Sequence, residues 1–253
     1  MLPQSEIASA RNSAVSTAAF RREYMCDFTA SADDVLIPLE LIQRAQGRSI
    51  SFDGSLAGAE KVIGVDVARF GSDRTVFFSR WGKQALPPIV IEKADLMHTV
   101  GLLTQLIDRW KPDATFIDEG GVGGGVIDRC RQIGFDVVGV NFGARAIDPR
   151  YLNRRAEMWF ALRDWLQHGG ILPDDPALLA DLSAPQFSFD AGNRLKLEPK
   201  DQIKKRMGKS TDLGDGLALT FAFPVMPAGR SAHGHGFTQT QHSFDPFEEA
   251  FHA

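Results

Sequence analysis

Hydrophobic positions along the chain change their period several times, and each change marks an element. Val62-Ile-Gly-Val-Asp-Val-Ala68 is a near-continuous β-branched run, Arg74-Thr-Val-Phe-Phe-Ser79 a second and Pro88-Ile-Val-Ile-Glu92 a third, with Gly71-Ser-Asp73 and Gly82 between them. Short apolar runs bounded by turn residues predict strands, here an antiparallel three-strand meander. The period then becomes helical. Leu96 to Trp110 carries Val100, Leu103, Leu106, Ile107 and Trp110 at helix spacing, Ala114 to Asp118 reads as a strand, Gly123 to Ile133 as a helix and Asp136 to Val140 as a strand. The resulting βββαβαβ order predicts an α/β domain whose mixed sheet joins an antiparallel half to a parallel half.

Beyond residue 148, a long helix is expected from Pro149 to Gly169, with Pro149 at its start and Trp159, Phe160, Leu162, Trp165 and Leu166 available to the core. Phe187-Ser-Phe189 and Leu195-Lys-Leu197 alternate around Asp190-Ala-Gly-Asn193, which predicts an added β-hairpin. Helices follow at about Pro199 to Met207 and Thr211 to Phe223. Upstream of the strands, residues 1–58 read as a linker segment with short helices at Phe20–Tyr24 and Leu36–Gln46, the latter with Leu36, Leu39 and Ile42 on one face. Residues 224–253 lose periodicity and are expected to be a flexible tail, which leaves 59–223 as the main domain.

Composition narrows the function classes. Lys and Arg number 28 against 32 acids, so a polyanionic partner has to be met by a local basic stripe, not by the molecule's overall charge. The two cysteines, Cys26 and Cys130, are too few for a disulfide framework or a zinc knuckle, which points to a reducing, cytoplasmic setting. No apolar run approaches the roughly 18 to 20 residues of a membrane helix, and the opening residues lack a signal peptide's basic and apolar parts. The expectation is a protein neither secreted nor membrane-bound.

Two motifs mislead. Gly208-Lys-Ser210 ends like a P-loop, but the earlier glycine would fall at Ile203. Gly120, Gly121, Gly123, Gly124 and Gly125 follow a strand, yet Val126 and Asp128 stand where a dinucleotide fingerprint needs glycine.

The chemistry lies in carboxylates. Asp66 sits inside an apolar run, where an uncompensated charge costs several kcal/mol or its pKa shifts. Asp118 ends a strand at the carboxyl edge, where open α/β sheets place their ligands. If these two strands are parallel neighbours, both side chains reach one crevice. Asp212 and Asp215, three residues apart in the first turn of the last helix, share a face and add two more carboxylates. Asp73 and Glu119 are weaker candidates, one in a turn and the other facing away from Asp118 by strand alternation. Carboxylates that converge while ionised call for hard divalent cations, Mg²⁺ or Mn²⁺. Two such ions about 3.5 to 4 Å apart can hold a scissile phosphate, which predicts phosphodiester hydrolysis.

Val65-Asp-Val-Ala-Arg-Phe-Gly-Ser-Asp-Arg-Thr75, Ile117-Asp-Glu-Gly-Gly-Val-Gly123 and Ser210-Thr-Asp-Leu-Gly-Asp-Gly-Leu-Ala-Leu-Thr220 together resemble the nuclease domain of tailed-phage terminase large subunits. Phe20-Arg-Arg-Glu-Tyr-Met-Cys-Asp-Phe28 resembles the segment joining the motor to that nuclease. The resemblance implies a ribonuclease H-like mixed sheet flanked by helices and cutting of concatemeric double-stranded DNA during genome packaging in the cytoplasm of a bacterial host. It implies Asp66, Asp118 and Asp215 as ligands of two metal ions, with Asp212 auxiliary, and a portal protein and small terminase subunit as partners. No Walker A strand–loop–helix can be located in the 253 residues, so the resemblance implies the nuclease portion of a longer motor.

DNA contacts are expected from Lys196, Lys200, Lys204, Lys205, Arg206 and Lys209 around the hairpin and the helix after it, and from Arg154 and Arg155, with Arg145 and Arg150 nearby. Two other readings of the carboxylates stay open at this point: an actin- or sugar-kinase-like ATPase, and a docking module with a structural ion.

Overall fold

The structure is a computed structural model and describes residues 34–49, 56, 58–68 and 74–227. The expected helix at Phe20–Tyr24, the turn with Asp73 and the tail from residue 228 lie outside the described residues.

Strand β1 (Lys61–Asp66) is the middle of the sheet. It pairs antiparallel along its whole length with β2 (Arg74–Trp81) and parallel with β5 (Ala114–Asp118), beyond which β6 (Val138–Val140) is also parallel. The far edge of β2 is shared by β3 (Gln84–Ala85) and β4 (Ile89–Glu92). Pro87 and Pro88 lie between these two and have no N–H to offer a ladder, so the edge divides there. The helices α2 (Leu96–Trp110) and α3 (Gly123–Gln132) connect β4 to β5 and β5 to β6. The βββαβαβ order and the mixed sheet therefore stand, with β3 as an addition.

Alternation along β1 divides the core into two layers. Ile63 and Val65 face α2 and α3, packing with Phe77, Ile117, Val100, Leu103, Val126 and Ile127. Val62 faces the opposite layer, built from α4 (Arg154–Gln167), α5 (Pro176–Ser183) and α7 (Asp212–Leu219). Gly64 and Asp66 share the parity of Val62, and Asp118 shares that of Phe116, which also belongs to this second layer. Both aspartates are thus on the face that α7 covers.

Gly64 lets α7 lie directly on β1. A Cβ there would overlap the carbonyl oxygen of Gly216 and come within 2.9 Å of the Leu219 side chain. Relief requires α7 to rise off the sheet. Gly64→Ala is expected to lower stability by about 1–3 kcal/mol or more, the cost of overpacking a core. A urea-unfolding midpoint equal to that of the parent protein would contradict this packing.

Several expectations need correction. The long helix starts at Arg154, where the Asn153 side chain accepts the Ala156 N–H; Pro149 lies in the preceding turn, in which Asp148 accepts from the Arg150 backbone and guanidinium. Helix α5 was not expected, although Asp175 caps it through the Ala177 and Leu178 N–H groups and Pro176 opens it. Helix α1 (Leu39–Gln46) begins later than Leu36 and turns Leu39 outward. Leu41, Ile42 and Ala45, with Leu36 and Ile37, join the layer that contains α4 and α5. These five residues of the segment expected as a linker are therefore packed on that layer. The hairpin of β7 (Phe187–Phe189) and β8 (Leu195–Leu197) and helix α6 (Lys200–Met207) lie where the pattern put them.

Candidate active site

The parallel register of β1 and β5, in which Val65 pairs with Ile117, brings Asp66 and Asp118 side by side at the carboxyl edge of the sheet. The first turn of α7 adds Asp212 and Asp215 from above. Asp215 is fully buried and Asp66 and Asp212 nearly so, whereas Asp118 is half-buried and accepts the Gly120 N–H. Glu119 turns away over Gly139 on the neighbouring strand, as alternation predicts.

Lys200, the first residue of α6, brings an ammonium into the middle of this cluster. Its Nζ is 2.8 Å from Asp66 Oδ2, 3.2 Å from Asp215 Oδ2 and 3.5 Å from Asp212 Oδ1. Burial disfavours its charge, but Asp66 and Asp215 outweigh that and hold it above the ordinary lysine range. One ammonium cannot neutralise the whole group. Burial pushes the Asp66 carboxyl up to about 7 against the pull of Lys200, with the Asp215 charge adding to the rise. Asp118 is raised as well, mainly by burial. Asp215 goes the other way: burial opposes its charge, yet Arg155 and Lys200 hold it below the usual carboxylate range. The site is thus a carboxylate-rich, water-poor crevice that already recruits a cation.

Four further residues shape it, none of them expected as such from the sequence. Arg155 Nε donates to Asp215 Oδ1 at 2.9 Å, Trp159 Nε1 donates to the same atom at 2.8 Å, and Thr211 Oγ1 donates to Oδ2 at 3.0 Å. Asp181 on α5 is fully buried; it accepts the Leu213 N–H at 3.0 Å and the Lys209 ammonium at 2.9 Å. It thereby caps α7 from a neighbouring helix, a place where a carboxylate complements the helix dipole. The available signal was a lone acid inside the apolar run of Pro176-Ala-Leu-Leu-Ala-Asp-Leu182.

The basic residues separate into two groups. Arg154 is buried, bonded to Glu157 at 2.7 Å and stacked over Phe223, and Arg155 is buried against Asp215. Both guanidiniums are thus engaged inside the fold, where sequence alone suggested an exposed basic pair. Arg206 pairs with Glu198 at 2.6 Å and Lys209 with Asp181, while Arg150 pairs with Asp148. Lys204 and Lys205 are exposed on α6, as is Arg145 before α4. Lys196 lines a hollow of about 500 Å³ beside Lys200 and Arg155. A larger hollow of about 960 Å³ opens at the opposite end of the sheet, between the start of β5, β6 and Phe223–Met226, away from the carboxylates.

Among the described residues, no group of three or more His, Cys, Asp and Glu side chains is arranged to hold an ion as it stands. The oxygens of Asp66, Asp212 and Asp215 are turned onto Lys200 instead. The donor set nevertheless suits a hard divalent cation, since it is all carboxylate oxygen and a positive charge already occupies its centre.

No protein-family model matches the chain, and no curated protein matches it in sequence. Solved structures do. The nuclease domain of the large terminase subunit gp2 of bacterial virus Sf6 superposes with a TM-score of 0.60 at 20% identity, covering 76% of this chain and 100% of that one. A mutant of that domain, solved with manganese and beta-thujaplicinol, gives 0.64 at 19% identity, with 76% and 100% coverage. The large terminase nuclease from thermophilic phage G20c gives 0.51 at 15% identity, covering 65% of this chain and 82% of that one. This chain has the ribonuclease H-like fold of the nuclease domains of phage large terminase subunits.

Proposed function

We propose that the chain is a divalent-metal-dependent endonuclease that cuts concatemeric double-stranded viral DNA during genome packaging. The observation that carries this reading is the convergence of Asp66, Asp212 and Asp215 on the Lys200 ammonium, with Asp118 next to Asp66 at the carboxyl edge of β1 and β5. It is supported by the likeness in fold to a terminase nuclease solved with manganese.

Asp66, Asp118 and Asp215 would hold two ions, Mg²⁺ or Mn²⁺, with Asp212 auxiliary. When bound, the ions supply an activated water and stabilise the leaving oxygen of a phosphodiester. The chain's own residues orient and insulate. Arg155, Trp159 and Thr211 fix the Asp215 carboxylate, Asp181 fixes the helix turn that carries it, and the buried walls keep bulk water from screening the charges. Lys200 offsets the carboxylate charge when no metal is bound. In this reading the protein acts in the host cytoplasm with a portal protein and a small terminase subunit, as the nuclease portion of a packaging motor.

Supercoiled plasmid incubated with the protein and millimolar Mn²⁺ is expected to become nicked and then linear, with EDTA abolishing the reaction. Intact plasmid under a series of divalent cations would overturn the proposal.

Among the described residues, Lys196 beside the site and the exposed Lys204 and Lys205 on α6 are placed to meet backbone phosphates. Reversing Lys204 and Lys205 to glutamate is expected to weaken DNA binding at every sequence and to reduce the log–log salt slope by about 2. An unchanged slope in fluorescence-anisotropy titrations would remove α6 from the DNA-facing surface.

A further inference from the structure

Trp159 is fully buried on α4, one turn after Arg155, so the two side chains point to the same side. An indole has one N–H donor and no acceptor, and here it is committed to a carboxylate oxygen, Asp215 Oδ1, which Arg155 Nε also bonds. The second oxygen, Oδ2, has different neighbours: the Thr211 hydroxyl, the Arg155 terminal nitrogen at 3.5 Å and the Lys200 ammonium, whose side chain is 35% exposed. Both of these partners of Oδ1 are thus buried donors fixed on α4, whereas Oδ2, besides Thr211 and the longer Arg155 contact, has in Lys200 a partly exposed partner that also reaches Asp66 and can leave. The ring has a second contact. A Cβ at position 214 would lie 2.5 Å from its edge, so Trp159 also sets how closely the first turn of α7 approaches α4. Phenylalanine keeps an aromatic ring there but lacks the N–H and is smaller than the indole, so a substitution removes the donor and leaves part of the space unfilled, an effect that Trp165→Phe on the same helix controls for.

We infer that Trp159 is a positioning residue that, with Arg155, ties up one oxygen of Asp215 and presents the other to the metal. The inference rests on the metal-dependent reading of the site. Losing a fixed outer partner of a ligand typically costs roughly 10- to 100-fold in metal affinity, because the partner holds the ligand in one orientation.

The test is calorimetric Mn²⁺ binding to the parent protein, Trp159→Phe and Trp165→Phe. Trp165 is the control: it lies on the same helix and donates its indole N–H to the Gly82 carbonyl at 3.1 Å, outside the site. Trp159→Phe is expected to weaken Mn²⁺ roughly 10- to 100-fold, the usual scale for an outer-sphere partner, and Trp165→Phe to leave it unchanged. Equal affinity in the parent protein and Trp159→Phe would overturn the inference while leaving the metal site standing. A parent protein that binds no Mn²⁺ would overturn both. If Trp159→Phe fails to fold, ¹⁵N spectra of the parent protein decide: added Mg²⁺ should shift the Trp159 indole resonance and not that of Trp165, and an unmoved Trp159 resonance would overturn the inference.

Discussion

Asp66→Asn is expected to reduce metal-dependent nicking by on the order of 10²- to 10³-fold, the scale on which removing one preorganised electrostatic element acts. Asparagine keeps the shape and a hydrogen-bond acceptor for Lys200, but it removes a charge from a group that has to neutralise divalent cations. The loss should not reflect unfolding. Burial pushes the Asp66 carboxyl up to about 7, above its unfolded value, so its ionisation costs stability as pH rises from about 4 through 7. A neutral replacement removes that cost, and the metal-free melting temperature at pH 8 should stay equal or rise. Undiminished nicking by a folded Asp66→Asn protein would dismiss Asp66 as a ligand.

Lys200→Met should have the largest effect on stability. It deletes an ammonium that contacts Asp66, Asp212 and Asp215 together, so that among the described residues Asp66 and Asp212 lose their nearest counter-charge while Asp215 keeps Arg155. Breaking a fully buried pair costs about 3–5 kcal/mol; with a third of Lys200 exposed, about 2–4 kcal/mol is expected here. Metal should reverse the loss. In the parent protein an incoming cation has to displace the lysine, whereas in Lys200→Met it fills an uncompensated site, so added Mn²⁺ should raise the melting temperature of the variant more than that of the parent. Equal increments, measured by thermal denaturation with and without Mn²⁺, would mean that metal and lysine do not compete for the same carboxylates.

The sequence made the sheet and its acids legible because both follow from local pattern. The β-branched run around Asp66 and the strand ending at Asp118 are read from alternation and length, whereas their being parallel neighbours is only a condition in the sequence and becomes visible in the β1–β5 register. The spacing of Asp212 and Asp215 on one helix needs no tertiary knowledge. What stayed hidden depends on which element packs on which. Arg154 and Arg155 look like a surface basic pair, yet the Asn153 cap starts α4 with both side chains turned inward, one to Glu157 and one to Asp215. Trp159 reads as an ordinary core aromatic, since periodicity does not show what its N–H meets. Helix α5 is short and entered through Asp174-Asp-Pro176, which resembles loop more than helix until the Asp175 cap is considered. Residues 34–48 look too small to fold, and they do so on the surface that α4 and α5 supply.

The carboxylate cluster is the centre of the account, and anomalous scattering from crystals soaked in Mn²⁺ tests it most directly. Anomalous density among Asp66, Asp118 and Asp215, with the Lys200 ammonium moved off Asp66, is the predicted result. Crystals with no such density at saturating Mn²⁺, and Lys200 still bonded to Asp66, would contradict it.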